Sequence, residues 1–120
     1  MNRRFHGVDG QPGTFLVEGG AAPVAVRVDP PLVIVRVHMG DATGAADPAA
    51  FYRRLLELNA RELVHASYGI DRGQVVLSSA LELENLDFNE LQATMDEIDL
   101  ALAQQLPGLA GLAKPSPEKN

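Results

Sequence analysis

Three histidines, His6, His38 and His65, and the pair Ser78-Ser79 are the side chains of this sequence best suited to metal binding or nucleophilic attack. None stands at the spacing that such chemistry requires. A helical zinc site sets two histidines one turn apart, as in His-Glu-x-x-His, and these three lie in separate parts of the chain. Ser78-Ser79 falls in a β-prone run without the Gly-x-Ser-x-Gly elbow that exposes a nucleophile. Gly7, Gly10 and Gly13 are spaced like a phosphate loop, but they precede a strand and lack both the lysine and the helix N-terminus that hold phosphate. With no Cys in the chain, disulfides, thiol nucleophiles and thiolate metal sites are excluded. No catalytic, cofactor-binding or metal-ligating residue is therefore assigned, and no cofactor is expected.

The acidic residues have one further capacity. No basic residue occurs between Arg72 and Lys114, while Glu82, Glu84, Asp87, Glu90, Asp96, Glu97 and Asp99 accumulate there. Paired carboxylates perform acid/base chemistry only when burial separates their pKa values, and most of these positions fall on the solvent side of a helix. A solvated face is the plain reading; an electrostatic docking surface for a basic partner is the alternative. A calcium loop of the Asp-x-[Asp/Asn]-x-[Asp/Asn]-Gly type is missing.

The net charge of −6 and pI near 4.9 oppose nucleic acid as a partner, because that affinity rests on Lys and Arg neutralising phosphates. The residues after Met1-Asn2-Arg3-Arg4 supply no apolar run for a signal peptide, and nothing reaches membrane-spanning length, so a cytoplasmic protein is expected. A 46% apolar and 22% charged composition suits one globular domain. The domain is placed at residues 1–112, with a disordered tail at 113–120.

The elements that would position any site follow from periodicity. Alternation predicts strands over about Thr14 to Glu18, Val24 to Asp29 and Leu32 to Met39, the last two separated by Pro30-Pro31. After a small-residue loop, Gly40 to Ala46, Asp47-Pro48 supplies a cap and an N1 proline for a helix running to about Val64, with Phe51, Leu55 and Leu58 on one side. A hairpin is expected from His65 to Ile70 and Gln74 to Glu84 around a three-residue Asp71-Arg72-Gly73 turn. Leu86-Asp87-Phe88-Asn89-Glu90-Leu91 reads as an Asp-headed capping box with a hydrophobic staple. The closing helix then places Phe88, Leu91, Met95, Ile98 and Leu102 on one stripe, and Leu106-Pro107-Gly108 ends it. The sum is an α+β fold: an antiparallel sheet of about five strands with two helices, in the order β-β-β-α-β-β-α.

If Phe15, Val17, Val24, Val26, Val28, Val33, Val35 and Val37 pack beneath the helices, the opposite face carries Leu16, Leu32, Ile34 and Val76. A solvated face is not so apolar. These four residues are the candidate partner-binding set, covered by a second subunit, a further helix or a client segment. The alternative buries the third strand on both sides within one monomer.

The runs Phe51-Tyr52-Arg53-Arg54-Leu55-Leu56-Glu57-Leu58-Asn59, Tyr68-Gly69-Ile70-Asp71-Arg72-Gly73-Gln74-Val75-Val76-Leu77 and Leu83-Glu84-Asn85-Leu86-Asp87 together resemble the Tir chaperone (CesT) superfamily, which includes the YbjN-like domains. The shared cadence is a helix ending in Leu-x-x-Asn, a hairpin running into Leu-Glu-Asn-Leu-Asp, and a long closing helix, over roughly residues 47 to 106. The resemblance implies a small, acidic, homodimeric protein without enzyme activity. Its partner would be a protein: a secreted effector if it acts as a type III secretion chaperone, another target if it is a YbjN-like regulatory or stress-related domain. Members usually begin with an amphipathic helix, and Met1 to Gly13 departs from that pattern.

Overall fold

The computed structural model describes residues 3–20, 22–41 and 45–113. Six strands and two helices follow one another as β1 (Arg4–Gly7), β2 (Thr14–Glu18), β3 (Val24–Asp29), β4 (Leu32–Asp41), α1 (Pro48–Arg61), β5 (Ser67–Asp71), β6 (Gln74–Glu82) and α2 (Phe88–Ala113). They build one antiparallel sheet in the order β1-β2-β3-β4-β6-β5. The fold class is the α+β arrangement expected, with an additional first strand: β1 pairs along β2, Phe5 opposite Val17. A four-residue edge strand with every residue exposed carries no apolar alternation, which is why periodicity does not reveal it.

Both helices lie on one face. Val17, Val24, Val26, Val33, Val35, Val37 and Leu77 from the sheet bury against Phe51, Leu55 and Leu58 of α1 and Met95, Ile98, Leu102 and Leu109 of α2. Full burial of such a side chain contributes about 1.5–3 kcal/mol. Phe15 shares that face, opposite Val26, but is 38% exposed, and Val28 is only partly buried. The expectation that Phe15 packs beneath the helices is corrected, since it stands toward the β1–β2 end of the sheet, whereas Val28, near the β3–β4 turn, does pack against the core. Phe88 is likewise 61% exposed, because it opens α2 rather than lying within the packed stripe.

The helix ends and turns depart from expectation in three places. Helix α1 stops at Arg61 rather than Val64: Glu62 N still donates to Leu58 O, but the amides of Val64, His65 and Ala66 donate to the Glu97 carboxylate instead of to helix carbonyls. The β5–β6 turn has two residues, not three. Asp71 pairs with Gln74, and Arg72 and Gly73 both take positive φ, 53° and 79°, the geometry of a type I′ turn that suits Gly and is uncommon for Arg. Helix α2 continues through Pro107 and Gly108 to Ala113 in spite of the lost proline donor; Leu109, 3% exposed, anchors its last turns. In β4 the register slips between His38 and Gly40, a bulge at which Gly40 adopts φ 129°. Of the expected loop at Gly40 to Ala46, residues 42–44 lie outside the described residues, as do residues 114–120 of the expected tail, whose first residue, Ala113, is instead the last of α2.

Candidate functional site

The face of the sheet opposite the helices has no element packed on it among the described residues. Antiparallel register fixes its composition, because directly opposed residues share a side. One row runs Thr14, Arg27, Ile34, Ala80 across β2, β3, β4 and β6. The next runs His6, Leu16, Ala25, Arg36, Ser78, Ser67 across the whole sheet. Beyond it lie His38, Val76 and Gly69, and at the other end Asp29, Leu32 and Glu82.

All four sequence-derived candidates therefore fall on this face, but in different settings. Leu16 and Leu32 are 38% and 36% exposed, and Ile34 is partly buried. Val76 is only 4% exposed, although no helix covers it. The cause is Arg36: its Nη1 donates to Asp71 Oδ2 at 3.1 Å, and since β6 lies between β4 and β5, the side chain must cross above Val76 to reach that carboxylate. Leu32 sits at the end of the sheet between Asp29 and Glu82, apart from the other three.

Sequence reasoning missed the polar residues interleaved with these. A shallow cavity of about 190 Å³ opens between the rows, lined by Thr14, Arg27, Ile34, Arg36 and His38, with Ala25 and Gln11 at its sides. The signal was present: a two-residue connection at Pro30-Pro31 sets Arg27 opposite Ile34 and Arg36 opposite Ala25, so the half-apolar face of β4 is also the face with two arginines. At the edge, His6 Nε2 lies 3.0 Å from Glu18 Oε1. No grouping of three or more His, Cys, Asp or Glu suited to a metal ion occurs among the described residues.

On the helix side a second cleft, of about 230 Å³, lies between α1 and β5 and is lined by Tyr52, Leu55, Leu56, Tyr68, Gly69 and Ile70. Its lining is almost wholly apolar in residue type, and Tyr52, Leu56 and Ile70 are 38%, 68% and 46% exposed.

Polar anchors hold the frame around both surfaces. Asn59 brackets the edge strand, its Nδ2 donating to Tyr68 O at 3.0 Å while Tyr68 N donates to its Oδ1 at 2.6 Å. The Tyr68 hydroxyl donates to Gln105 Oε1 at 2.6 Å; burial pushes its pKa up to about 12, so it keeps its proton. Burial alone would raise the Glu97 pKa, but the amides of Ala66, His65 and Val64 outweigh it and hold the carboxylate below its ordinary range. Two members of the acidic run, Asp96 and Asp99, pair with Arg3, whose side chain is 7% exposed. Desolvation opposes the charged guanidinium there, and its bonds to Asp99 and Asp96 more than offset that, raising its pKa. The reading of this run as a solvated face is thus corrected for Glu97 and Asp99, while Asp96 stays 58% exposed; the three fasten the N-terminal segment and the α1–β5 loop to α2.

No helix among the described residues is long and apolar enough to cross a membrane. No curated protein matches the chain. The family model CesT_Tir_1 matches residues 1–115, which spans both helices and all six strands that frame the open face. The chain thus belongs to the CesT_Tir_1 family, the CesT-like type III secretion chaperones.

Proposed function

We propose that the protein is a non-enzymatic binding domain of the cytoplasm that holds an extended stretch of a partner polypeptide, a secreted effector, against the open face of its sheet. The observation that carries this reading is the one-sided packing: both helices occupy one face and leave Leu16, Leu32 and Ile34 at least partly exposed on the other. Covering an apolar side chain of that size contributes up to about 1.5–3 kcal/mol, so a docked segment gains from each. Membership of a chaperone family supports a protein as the partner. The protein works as a homodimer, and the apolar α1–β5 cleft supports self-association at a surface distinct from the open face.

Ile34→Asp tests the reading. The side chain stands on the open face, so the variant should keep the circular dichroism spectrum of the parent. In parallel pull-downs analysed by mass spectrometry it should lose the partner that the parent enriches. Unfolding of the variant, or capture of the same partner by both proteins, would place Ile34 outside the binding surface.

A further inference from the structure

The centre of the open face is basic although the whole chain carries −6. Arg27 and Arg36 occupy adjacent cross-strand rows, and His38 stands one row further on. The acids of the same face, Glu18, Asp29, Asp71 and Glu82, lie toward its rim. Arg27 is weakly engaged: its side chain is 57% exposed and only Nη2 reaches Asp29, at 3.5 Å. Arg36 is incompletely engaged. Its Nη1 is committed to Asp71, while its Nε–H is shielded from water and has no hydrogen-bond partner. A donor left in that state is unfavourable, and Arg36 lines the adjoining cavity. The Nε/Nη2 edge of a guanidinium is a side-on fork that matches the two oxygens of a carboxylate.

Building on the open face as the docking surface, we propose that this cavity receives one carboxylate from an acidic side chain of the docked polypeptide. The Nε–H and Nη2–H of Arg36 take its two oxygens, and Arg27 closes on it from the neighbouring row. Leu16 and Ile34 flank the position, so the segment that fits carries a single Asp or Glu between apolar residues. A run of acids is disfavoured, because the rim carboxylates repel the further charges.

Synthetic peptides of about twelve residues, long enough when extended to span the sheet, provide the probe. They alternate Leu and Ser, with Glu, Gln, Lys or phosphoserine at one central position, and binding is followed by isothermal titration calorimetry. The Glu peptide should bind about tenfold tighter than the Gln peptide at low salt, an advantage that shrinks in about 0.5 M salt. Arg36→Gln and Arg27→Gln should each bring the Glu peptide to the affinity of the Gln peptide, while Arg53→Gln on α1 leaves it unchanged. Should Arg36→Gln lose the native circular dichroism spectrum, the exposed Arg27→Gln carries the comparison. Equal binding of the Glu and Gln peptides, both lost in Ile34→Asp, would overturn the carboxylate site and leave the docking face standing. A preference for Lys, binding of the phosphoserine peptide alone, or no binding of any of the four would also overturn it.

Discussion

Glu97 ties α2 to the segment between α1 and β5 through its carboxylate. Its Oε1 accepts from the amides of Val64, His65 and Ala66 at 3.0–3.1 Å, three successive donors in the segment between α1 and β5. Because these bonds favour the charged form, its folded pKa lies below the unfolded value of about 4.3. The stabilisation is therefore fully present above that unfolded value and is lost as the pH falls through the folded one. Glu97→Gln should lower stability at neutral pH by about 1–2 kcal/mol, because a neutral amide oxygen is a weaker acceptor for the same donors. It should also flatten the fall in stability on acidification below about pH 4. Urea midpoints of the two proteins at a series of pH values check both statements, and parallel acid curves would remove Glu97 from this role.

At the scale of elements, the two helix starts show what a short local pattern determines. Asp47 Oδ1 accepts from Ala50 N at 3.1 Å ahead of Pro48, and Asp87 Oδ1 accepts from Glu90 N at 2.8 Å, as the capping residues require. Asp87→Ala should cost about 1 kcal/mol and Asp87→Asn much less, read from denaturation midpoints; an unchanged midpoint in Asp87→Ala would count against that cap. The alternation of β2, β3 and β4 was equally legible, because a half-buried strand writes its period into the sequence. Two of the places that escaped reading are settled by partners distant in sequence, and a third by an unusual residue in its turn. Helix α1 ends where Glu97 takes the amides of the segment that follows; α2 passes Pro107 because Leu109 finds the core; the type I′ turn uses Arg72 where Asn or Gly would have announced it. For the open face, Leu16, Leu32, Ile34 and Val76 were found by alternation alone. The arginine that lies over Val76 was not, since reaching Asp71 depends on the strand order β4-β6-β5.

For the whole molecule, the apolar cleft between α1 and β5 bears on assembly. Leu56, which lines it, is 68% exposed, so Leu56→Arg should keep the circular dichroism spectrum of the parent while shifting the mass in light scattering from dimer to monomer. A parent protein that is monomeric at every accessible concentration would show that the cleft does not join two copies. The same strand limits how far association can go. On β5 the amides that face away from β6 alternate, and Ala66 N is already taken by Glu97 while Tyr68 N and O are both taken by Asn59. Of the outward-facing groups on β5, those of Ile70 remain, enough to seed a contact but too few to template another strand. This rim of the sheet is stopped in that way, so β5 does not serve as a template for edge-to-edge pairing.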